Sequence, residues 1–510
     1  MNFRNNVYLA LLSVSFLFFS CGNDTAVVED AIINIPASTS ALTSIDIKSL
    51  MEKADFESVK KMSFYQDMID DVAQNNPNIV SILKDPSQSG VDLNAKMYFV
   101  QDMNINNPEN SVNALLMSLK DKAAFEKMVS SEAQVASGEG FQYIQPNKNN
   151  LVAWNDELGV VGMSPSSRAD IQASVAEFFA TTKETSVVNN EDLQKCLSKK
   201  SDVVSWFSSN SLAELAKGDM GMAMAFVGLT AEMLENNFAH SYMDFGKGEI
   251  TGDSKYWINE KMADEFRHIF KDEVKTNFAQ YLPEQDLAFA FSGALDIKGI
   301  KMILEKRQMA GLADMNLREF GLSVDELAKT FDGDFMVSGY REEGSDIPNM
   351  MTVLKINDKA NFQKILDLGE EYEMISKAGD GVYNLSPLPM GGTTAGVQPQ
   401  LYFDGKVAFM SSNTKAVSAI QSGDWGKSGL VGSEVKDVIN ENLMGAFINF
   451  ATIGKLMDSS GLNFDAMENA YMSMDRDEAA YQVNMKDKSQ NSLKSIFELL
   501  NQSYERRNSM

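Results

Sequence analysis

Strand-like apolar runs alternate with helical patterns along most of the chain. Residues 115–119 and 350–356 are apolar runs of strand length, and each is followed by a turn and by apolar residues at helical spacing. Asp121 and Asp358 stand where the N-cap of each helix belongs, because an aspartate side chain accepts hydrogen bonds from free backbone N–H groups there. The pattern predicts strands that lead into helices, with the helices packing back on a sheet.

Other segments predict hairpins. Residues 96–100 and 407–410 alternate between apolar and other side chains, and an Asp404-Gly405 turn precedes the second of them. We therefore expect an α+β fold in which antiparallel sheets carry helices on one face.

The second half of the chain repeats motifs of the first. SIDIKSL at 44–50 returns as ALDIKGI at 294–300, an offset of 250 residues, and LKDKAAFEKM at 119–128 returns as INDKANFQKI at 356–365, an offset of 237. These matches predict two similar tandem lobes, residues 35–278 and 282–505.

The first residues have the features of an export signal. Arg4 precedes a 13-residue apolar run at 7–19, which is shorter than the roughly 20 residues of a membrane-spanning helix. Ser20-Cys21 follows, as in a lipoprotein cleavage site, although Phe18 replaces the usual leucine. We expect residues 1–20 to be a lipoprotein signal peptide, with Cys21 carrying the lipid and residues 21–34 forming a tether.

Together these features resemble a known family. An N-terminal lipid-bearing Cys21, a proline followed by Ile45-Asp46-Ile47-Lys48, a Gly-Val-Asp-Leu at 90–93 and a repeated second half are similar to uncharacterised lipoproteins of Bacteroidota-type bacteria with tandem α+β repeats. The resemblance implies an envelope location and the repeated fold. It implies no activity or catalytic residue, since none is assigned to that family.

Charge limits the partners. The chain has 45 basic and 71 acidic residues, a net charge of −26. That field opposes binding to nucleic acid and to a flat anionic membrane surface. The expected partners are the membrane, reached through the N-terminal lipid, and a hydrophobic ligand or an envelope protein.

No motif assigns catalytic, cofactor-binding or metal-binding residues. The two histidines, His240 and His268, lie in no recognisable catalytic setting, and Cys196 is expected to be a buried residue of a helix. Gly426-Lys427-Ser428 lacks the earlier glycine of a phosphate-binding loop. A calcium-loop-like segment starting at Asp85 has lysine where glutamate is required.

One stretch differs from an ordinary amphipathic helix. Residues 219–234 are apolar on nearly every side from position 220 to 231, which is typical of a buried helix or of one facing an apolar partner. Two interpretations stay open: a central core helix, or a helix lining a groove for an acyl chain or a partner's helix. The groove would be formed by Met220, Met222, Met224, Phe226 and Met233.

The sequence thus predicts an exported lipoprotein anchored in the cell envelope, in the outer membrane, facing the periplasm or the cell surface. Its expected role is non-catalytic binding or scaffolding. The alternative is an envelope hydrolase with a non-standard carboxylate-based site. A glycine-rich loop at 390–399 is a further candidate binding element.

Overall fold

The computed structural model describes residues 31–508, except 76, 103–110, 131–133, 165, 167–169, 219–220, 227, 272, 284–285, 308, 319–320, 343–348, 387–397, 426–432 and 457–463. The chain divides into two compact units. The first contains the residues up to Asn259 together with those from Asp487 onward, and the second is Glu260–Lys486. The division therefore falls before the predicted boundary at 278–282, and the C-terminal segment belongs to the first unit.

The first unit contains one antiparallel sheet. Its strands are β1 (Ala41–Ile45), β2 (Met97–Asp102), β3 (Val112–Ser118), β4 (Ala136–Ser137), β5 (Gln142–Asn147), β6 (Asn150–Trp154), β7 (Leu158–Met163), β8 (Val203–Ser208), β9 (Phe238–Phe245) and β10 (Glu249–Trp257). Their spatial order is β10-β9-β8-β1-β2-β3-β7-β6-β5-β4.

The second unit has an antiparallel sheet with the corresponding order. Its strands are β11 (Leu287–Ala294), β12 (Phe331–Tyr340), β13 (Asn349–Ile356), β14 (Ile375–Gly379), β15 (Val382–Leu385), β16 (Gln400–Phe403), β17 (Val407–Ser411), β18 (Met444–Asn449), β19 (Met467–Met474) and β20 (Glu478–Met485). They are arranged β20-β19-β18-β11-β12-β13-β17-β16-β15-β14, so each strand of the first sheet has a counterpart ten numbers later.

Helices connect and cover these strands. Before the second unit lie α1 (Ile47–Ala54), α2 (Phe56–Val59), α3 (Ser63–Asn75), α4 (Pro77–Lys84), α5 (Lys122–Val129), α6 (Ile171–Ala180), α7 (Glu191–Ser198), α8 (Asn210–Lys217), α9 (Gly221–Phe226) and α10 (Ala231–Leu234). The rest are α11 (Glu260–Arg267), α12 (Ile297–Lys306), α13 (Ala310–Arg318), α14 (Val324–Thr330), α15 (Lys359–Glu371), α16 (Thr414–Ser422), α17 (Ser433–Glu441), α18 (Phe450–Leu456) and α19 (Ser492–Asn508). Short 3-10 helices span Ala31–Asn34, Pro86–Ser89, Val187–Asn189 and Phe278–Tyr281. The α+β class is confirmed.

The predicted helix starts at two aspartates are confirmed. Asp121 caps α5 by accepting a bond from the Ala124 backbone N–H at 3.0 Å. Asp358 caps α15 by accepting bonds from the Ala360 and Asn361 N–H groups. Each cap follows a strand, β3 in the first unit and β13 in the second, so the side chains satisfy N–H groups that the first turn of a helix leaves unpaired.

Helices cover both faces of the first sheet, not the single face predicted. In β3, Leu115 and Met117 belong to one apolar core, whereas Ala114 and Leu116 belong to another. Successive side chains of a strand point to opposite faces, so the two cores lie on the two sides of the sheet. The first core includes residues of α1, α3, α5 and α19, and the second includes residues of α6 and α7. A continuous apolar run is what a strand buried on both faces requires.

The second sheet is also apolar on both faces. In β17, Phe409 joins a core with residues of α16 and α17, whereas Ala408 joins a smaller core with Phe362 and Leu366 of α15. Helices therefore cover parts of both faces here too.

Candidate functional site

A groove lies on the first sheet where β2, β1, β8 and β9 run side by side. Its volume is about 210 Å³, and it is lined by Ala41, Leu42, Thr43, Phe99, Gln101, Ser205, Trp206, Phe207, Ala239 and Ser241. Each of the four strands contributes two lining residues that are two positions apart, so these side chains point to the same face of the sheet. The other two lining residues, Leu42 and Trp206, lie between such positions and belong to the core on the opposite face.

The lining of the groove is uncharged. Its hydroxyl groups are hydrogen-bonded in pairs: Thr43 Oγ1 and Ser205 Oγ are 2.9 Å apart, and Ser241 Oγ lies 2.8 Å from Ser254 Oγ on β10. Each pair uses one of its two protons internally, so each has one hydroxyl proton left to donate. Since 23% of the chain is charged, an uncharged and mainly apolar groove favours an apolar ligand.

One of the residues that line the groove, Ala41, has a small side chain. Ala41 lies five residues before the helix cap Asp46, and Phe291 lies five residues before Asp296 in the second unit. On that second sheet the Phe291 ring is 5.7 Å from the ring of Phe335. Counted back from these two caps, the first unit therefore has a methyl group where the second has a phenyl ring.

The structure places the described residues of the predicted methionine groove on two helices, with different exposures. Met222 on α9 is 88% exposed, whereas Met233 on α10 is buried at 7%. Met224 lies on α9 and is partly buried, and Phe226 is the last residue of that helix. Met220 lies outside the described residues. Met222, Met224 and Met233 are not among the residues that line the sheet groove.

The stretch at 219–234 is not one continuous helix. Gly228 adopts φ +80°, and the N–H groups of Gly228 and Leu229 donate to the carbonyl oxygens of Ala225 and Met224. This bonding is the glycine-based termination that commonly ends α-helices. Thr230 then caps α10 by accepting a bond from the Met233 N–H. The Gly228-Leu229-Thr230 sequence was the signal for this break.

A polar cluster lies on the opposite face of the same strands. His240 on β9 is 2% exposed, and its Nε2 is 2.8 Å from Asp192 Oδ2 on α7. The same carboxylate oxygen accepts a bond from the indole N–H of Trp206 at 2.9 Å. The His240 ring packs 4.1 Å from the ring of Trp257. Sequence reasoning missed this contact because Asp192 and His240 are 48 residues apart.

Cys196 lies one helical turn after Asp192 and is fully buried. Its Sγ is 3.6 Å from the carbonyl oxygen of Ser205. Burial raises the pKa of the Cys196 thiol to about 11, with Tyr242 as a side-chain hydrogen-bond partner. A protonated, buried thiol is a poor nucleophile.

The remaining motifs have structural settings or lie outside the described residues. Asp85 caps a 3-10 helix by accepting a bond from the Ser87 N–H. Cys21, the phosphate-loop-like segment at 426–428 and most of the glycine-rich loop at 390–399 fall outside the described residues.

Among the described residues, no cluster of His, Cys, Asp or Glu could hold a metal ion. Within that same part of the chain, every helix is too short or too polar to span a bilayer.

Comparison with known families identifies the family of this chain. The sequence model of a family described as a domain of unknown function (DUF4836) matches residues 32–370. The chain belongs to this family. The matched DUF4836 region begins in the first unit and continues to α15 of the second.

Comparison with individual proteins adds little. No curated protein matches the chain. Solved structures of TP0453 in crystal forms I, III and IV share 10%, 11% and 10% identity with it, each with a TM-score of 0.26. The alignments cover 46%, 49% and 47% of this chain and 81%, 90% and 85% of those chains. A likeness this weak carries no argument about fold or function.

Proposed function

We propose that this DUF4836 protein is a lipid-anchored protein of the cell envelope whose first unit binds an acyl chain in the groove of its sheet, without catalysing a reaction. The observation that carries the proposal is the uncharged groove across β2, β1, β8 and β9. A lipid anchor on Cys21 would keep this groove close to a source of acyl chains.

The polar groups of the groove favour an acyl chain over a peptide. A bound peptide brings backbone N–H and C=O groups that need partners when they leave water. The Thr43–Ser205 and Ser241–Ser254 pairs each have one hydroxyl proton left to donate, and Gln101 is the other polar side chain of the lining, so the groove offers few partners for a peptide backbone. An acyl chain needs no hydrogen bonds and gains about 25 cal/mol for each Å² of apolar surface removed from water.

The size of the groove fits part of a chain. About 210 Å³ is below the roughly 300 to 1,000 Å³ of sites that enclose a drug-sized ligand. We therefore propose that a segment of the acyl chain lies along the floor while the rest of the lipid remains outside.

The chemistry nearby supports binding more than catalysis. Asp192 and His240 lie on the opposite face of the sheet from the groove, bonded to each other. The lining itself supplies hydroxyl and amide groups, with no general base among them.

The proposal includes an internal duplication. It is supported by the matching strand orders of the two sheets and by equivalent aspartate caps at the helices that follow β3 and β13. Under this proposal, one of two related sheets has been opened for a ligand by the replacement of a large side chain with alanine.

The test compares Ala41→Phe with the wild-type chain. A fluorescent fatty-acyl probe is titrated into the full chain carrying Cys21→Ser, so that the protein's own lipid does not compete. Ala41→Phe is expected to lower the affinity about tenfold or more, because the new ring fills the groove. Phenylalanine lies at the same distance before the helix cap in the second unit, Phe291 before Asp296, so the fold is expected to accept it.

The matched control is Ala378→Phe, which adds the same ring to an exposed position of β14 and should leave probe binding unchanged. Unchanged binding by Ala41→Phe, with thermal unfolding as in the wild type, would contradict the assignment of the groove. Anchoring is tested separately: the Cys21→Ser chain is expected in the soluble fraction, and its retention in salt-washed membranes would refute the lipid anchor.

A further inference from the structure

Four hydroxyl side chains form a row across the first sheet, through the groove. Thr43 on β1 lies directly opposite Ser205 on β8. Ser241 on β9 continues the row beside Ser205, and Ser254 on β10 lies beside Ser241. Residues directly opposite each other in an antiparallel pair share one face of the sheet. Neighbouring strands are about 4.8 Å apart, so this hydroxyl row is about 14 Å long.

Apolar rows lie on both sides of the hydroxyl row. Two residues along the strands in one direction, Ala41 lies opposite Phe207, and Phe207 lies opposite Ala239. Two residues in the other direction, Ile45 lies opposite Val203. Across β1 and β8, the hydroxyl row is therefore a polar strip between apolar side chains.

The three rows offer hydrogen-bond donors without a positive charge. Among the described residues of β2, β1, β8, β9 and β10, the positions of these rows carry no charged side chain. The charged neighbours of Ser254 are Asp253 and Lys255. Each is one position away along β10 and so points to the opposite face, where Asp253 pairs with Lys199 at 2.6 Å.

The hydroxyl row has two protons that its internal bonds do not use. The Thr43–Ser205 and Ser241–Ser254 pairs are 2.9 and 2.8 Å apart and partly buried, and each pair has one spare proton. A ligand made of hydrocarbon alone would cover these protons and give them no acceptor, which costs free energy. A ligand with an oxygen acceptor at the row avoids this cost.

We infer that the groove selects an acyl chain that ends in an uncharged ester, whose carbonyl oxygen accepts a hydrogen bond from the hydroxyl row. This inference rests on the proposed acyl-binding function and specifies the class of acyl ligand. An ester carbonyl supplies an acceptor, and the ester brings no donor that would itself need a partner.

A free fatty acid fits the groove less well than its ester. A carboxylate also accepts hydrogen bonds, but its charge would leave water where the three rows provide no cation to pair with it. The net charge of −26 also opposes the approach of an anion. With the ester carbonyl at the hydroxyl row, the first methylene groups of the chain lie over Ala41, Phe207 and Ala239, which line the groove.

The test compares three ligands of equal chain length on the full chain carrying Cys21→Ser. They are methyl dodecanoate, methyl dodecyl ether, and dodecanoate at about pH 8, where a carboxylic acid is ionised. Each displaces the fluorescent fatty-acyl probe below the concentration at which it forms micelles. The ester is expected to bind about fivefold more tightly than the ether, as one added hydrogen bond provides. It is expected to bind about tenfold more tightly than dodecanoate, whose charge would be desolvated.

A variant without the hydroxyl row tests the source of this preference. Removing one member of a pair would leave its partner's proton free to donate, so all four are replaced, by Thr43→Val, Ser205→Ala, Ser241→Ala and Ser254→Ala. The affinities for ester and ether are then expected to agree within about twofold. Replacing both members of a bonded pair by apolar groups leaves no unpaired group, so the thermal unfolding is expected to match the wild type.

The matched control is the double variant Thr352→Val and Ser473→Ala, which removes hydroxyls from β13 and β19 of the second unit. It is expected to keep the wild-type ratio of ester to ether affinity.

Two results would overturn the inference and leave acyl binding intact. One is dodecanoate that binds as tightly as methyl dodecanoate, a comparison that needs no substitution in the groove. The other is a folded four-residue variant that keeps the wild-type ratio of ester to ether affinity. Failure of the proposed function would look different, because no ligand would displace the probe or Ala41→Phe would leave probe binding unchanged.

Discussion

Asp46 caps α1 and Asp296 caps α12 with the same backbone geometry, φ −84° and ψ 88° in both. Each side chain accepts a bond of 2.9 Å from the backbone N–H three residues later, that of Ser49 in one unit and Gly299 in the other. The two aspartates are 250 residues apart. This pair gives the alignment by which Ala41 is compared with Phe291.

The equivalence of the two caps can be tested by stability. Asp46→Ala and Asp296→Ala are each expected to lower the free energy of unfolding by about 1 kcal/mol, the usual cost of losing an N-cap. Chemical denaturation measures the free energy of unfolding of each variant, and hydrogen exchange shows which unit is destabilised. Glu139→Ala, at an exposed position, is the control. A loss for one aspartate and none for the other would contradict the equivalence.

The C-terminal helix is expected to stabilise the first unit. Phe497 on α19 is 5% exposed in the core beneath β3, its ring stacks on Phe64, and Lys494 pairs with Asp55 at 2.7 Å. Phe497→Ala is expected to cost about 3 to 5 kcal/mol, as for other buried phenylalanines. Leu500→Ala, on the same helix and 53% exposed, is the matched control.

Hydrogen exchange read by mass spectrometry locates the effect of Phe497→Ala. Peptides of α1 and β3 are expected to exchange faster, and peptides of Glu260–Lys486 to exchange as in the wild type. Faster exchange confined to the second unit would show that the C-terminal helix does not belong to the first.

Burial of Cys196 predicts a pH dependence. Burial raises the pKa of this thiol to about 11, against about 8.5 for a cysteine in an unfolded chain. As pH rises from about 8.5 to about 11, the unfolded chain loses the thiol proton before the folded chain does. The contribution of Cys196 to stability is therefore fully present below about pH 8.5 and declines as the pH rises toward 11. Cys196→Ala is expected to reduce the fall of the unfolding free energy with pH.

Alkylation gives a second measure of the same thiol. In the Cys21→Ser chain, Cys196 is the only thiol, and iodoacetamide is expected to label it slowly in the folded protein and rapidly after denaturation. Rapid labelling of the folded protein would contradict its burial.

The local features of the fold were predictable from the sequence. Asp121 and Asp358 were identifiable as caps because capping depends on a few neighbouring residues. The strand at 350–356 was evident from its apolar run, and the Asp404-Gly405 hairpin from its turn residues.

Features set by distant contacts were not predictable. The run at β3 shows that a strand is buried, but not that α6 covers one side of the sheet and α5 the other. Residues 487–508 do not show that α19 packs in the first unit, because an amphipathic pattern indicates which face of a helix is buried but not which element covers it.

The groove is also a feature set by distant contacts, and only part of it was predictable from the sequence. It depends on four strands that come from three separated parts of the first unit and on the small size of Ala41. The repeat at an offset of 250 residues aligns Ala41 with Phe291, so the difference in side-chain size could be read from the sequence. Relating this difference to a groove required the strand register, which places Ala41 beside Phe207 and Gln101.

The most direct test of the account is photo-crosslinking of an acyl chain to the full Cys21→Ser protein, with mass spectrometric mapping of the labelled residues. An acyl probe with a photoreactive group within its chain is expected to label Phe99, Phe207 and Ala239 in the groove, and to lose these labels in Ala41→Phe. Labelling confined to other parts of the chain, or labels in the groove that Ala41→Phe leaves unchanged, would contradict the account.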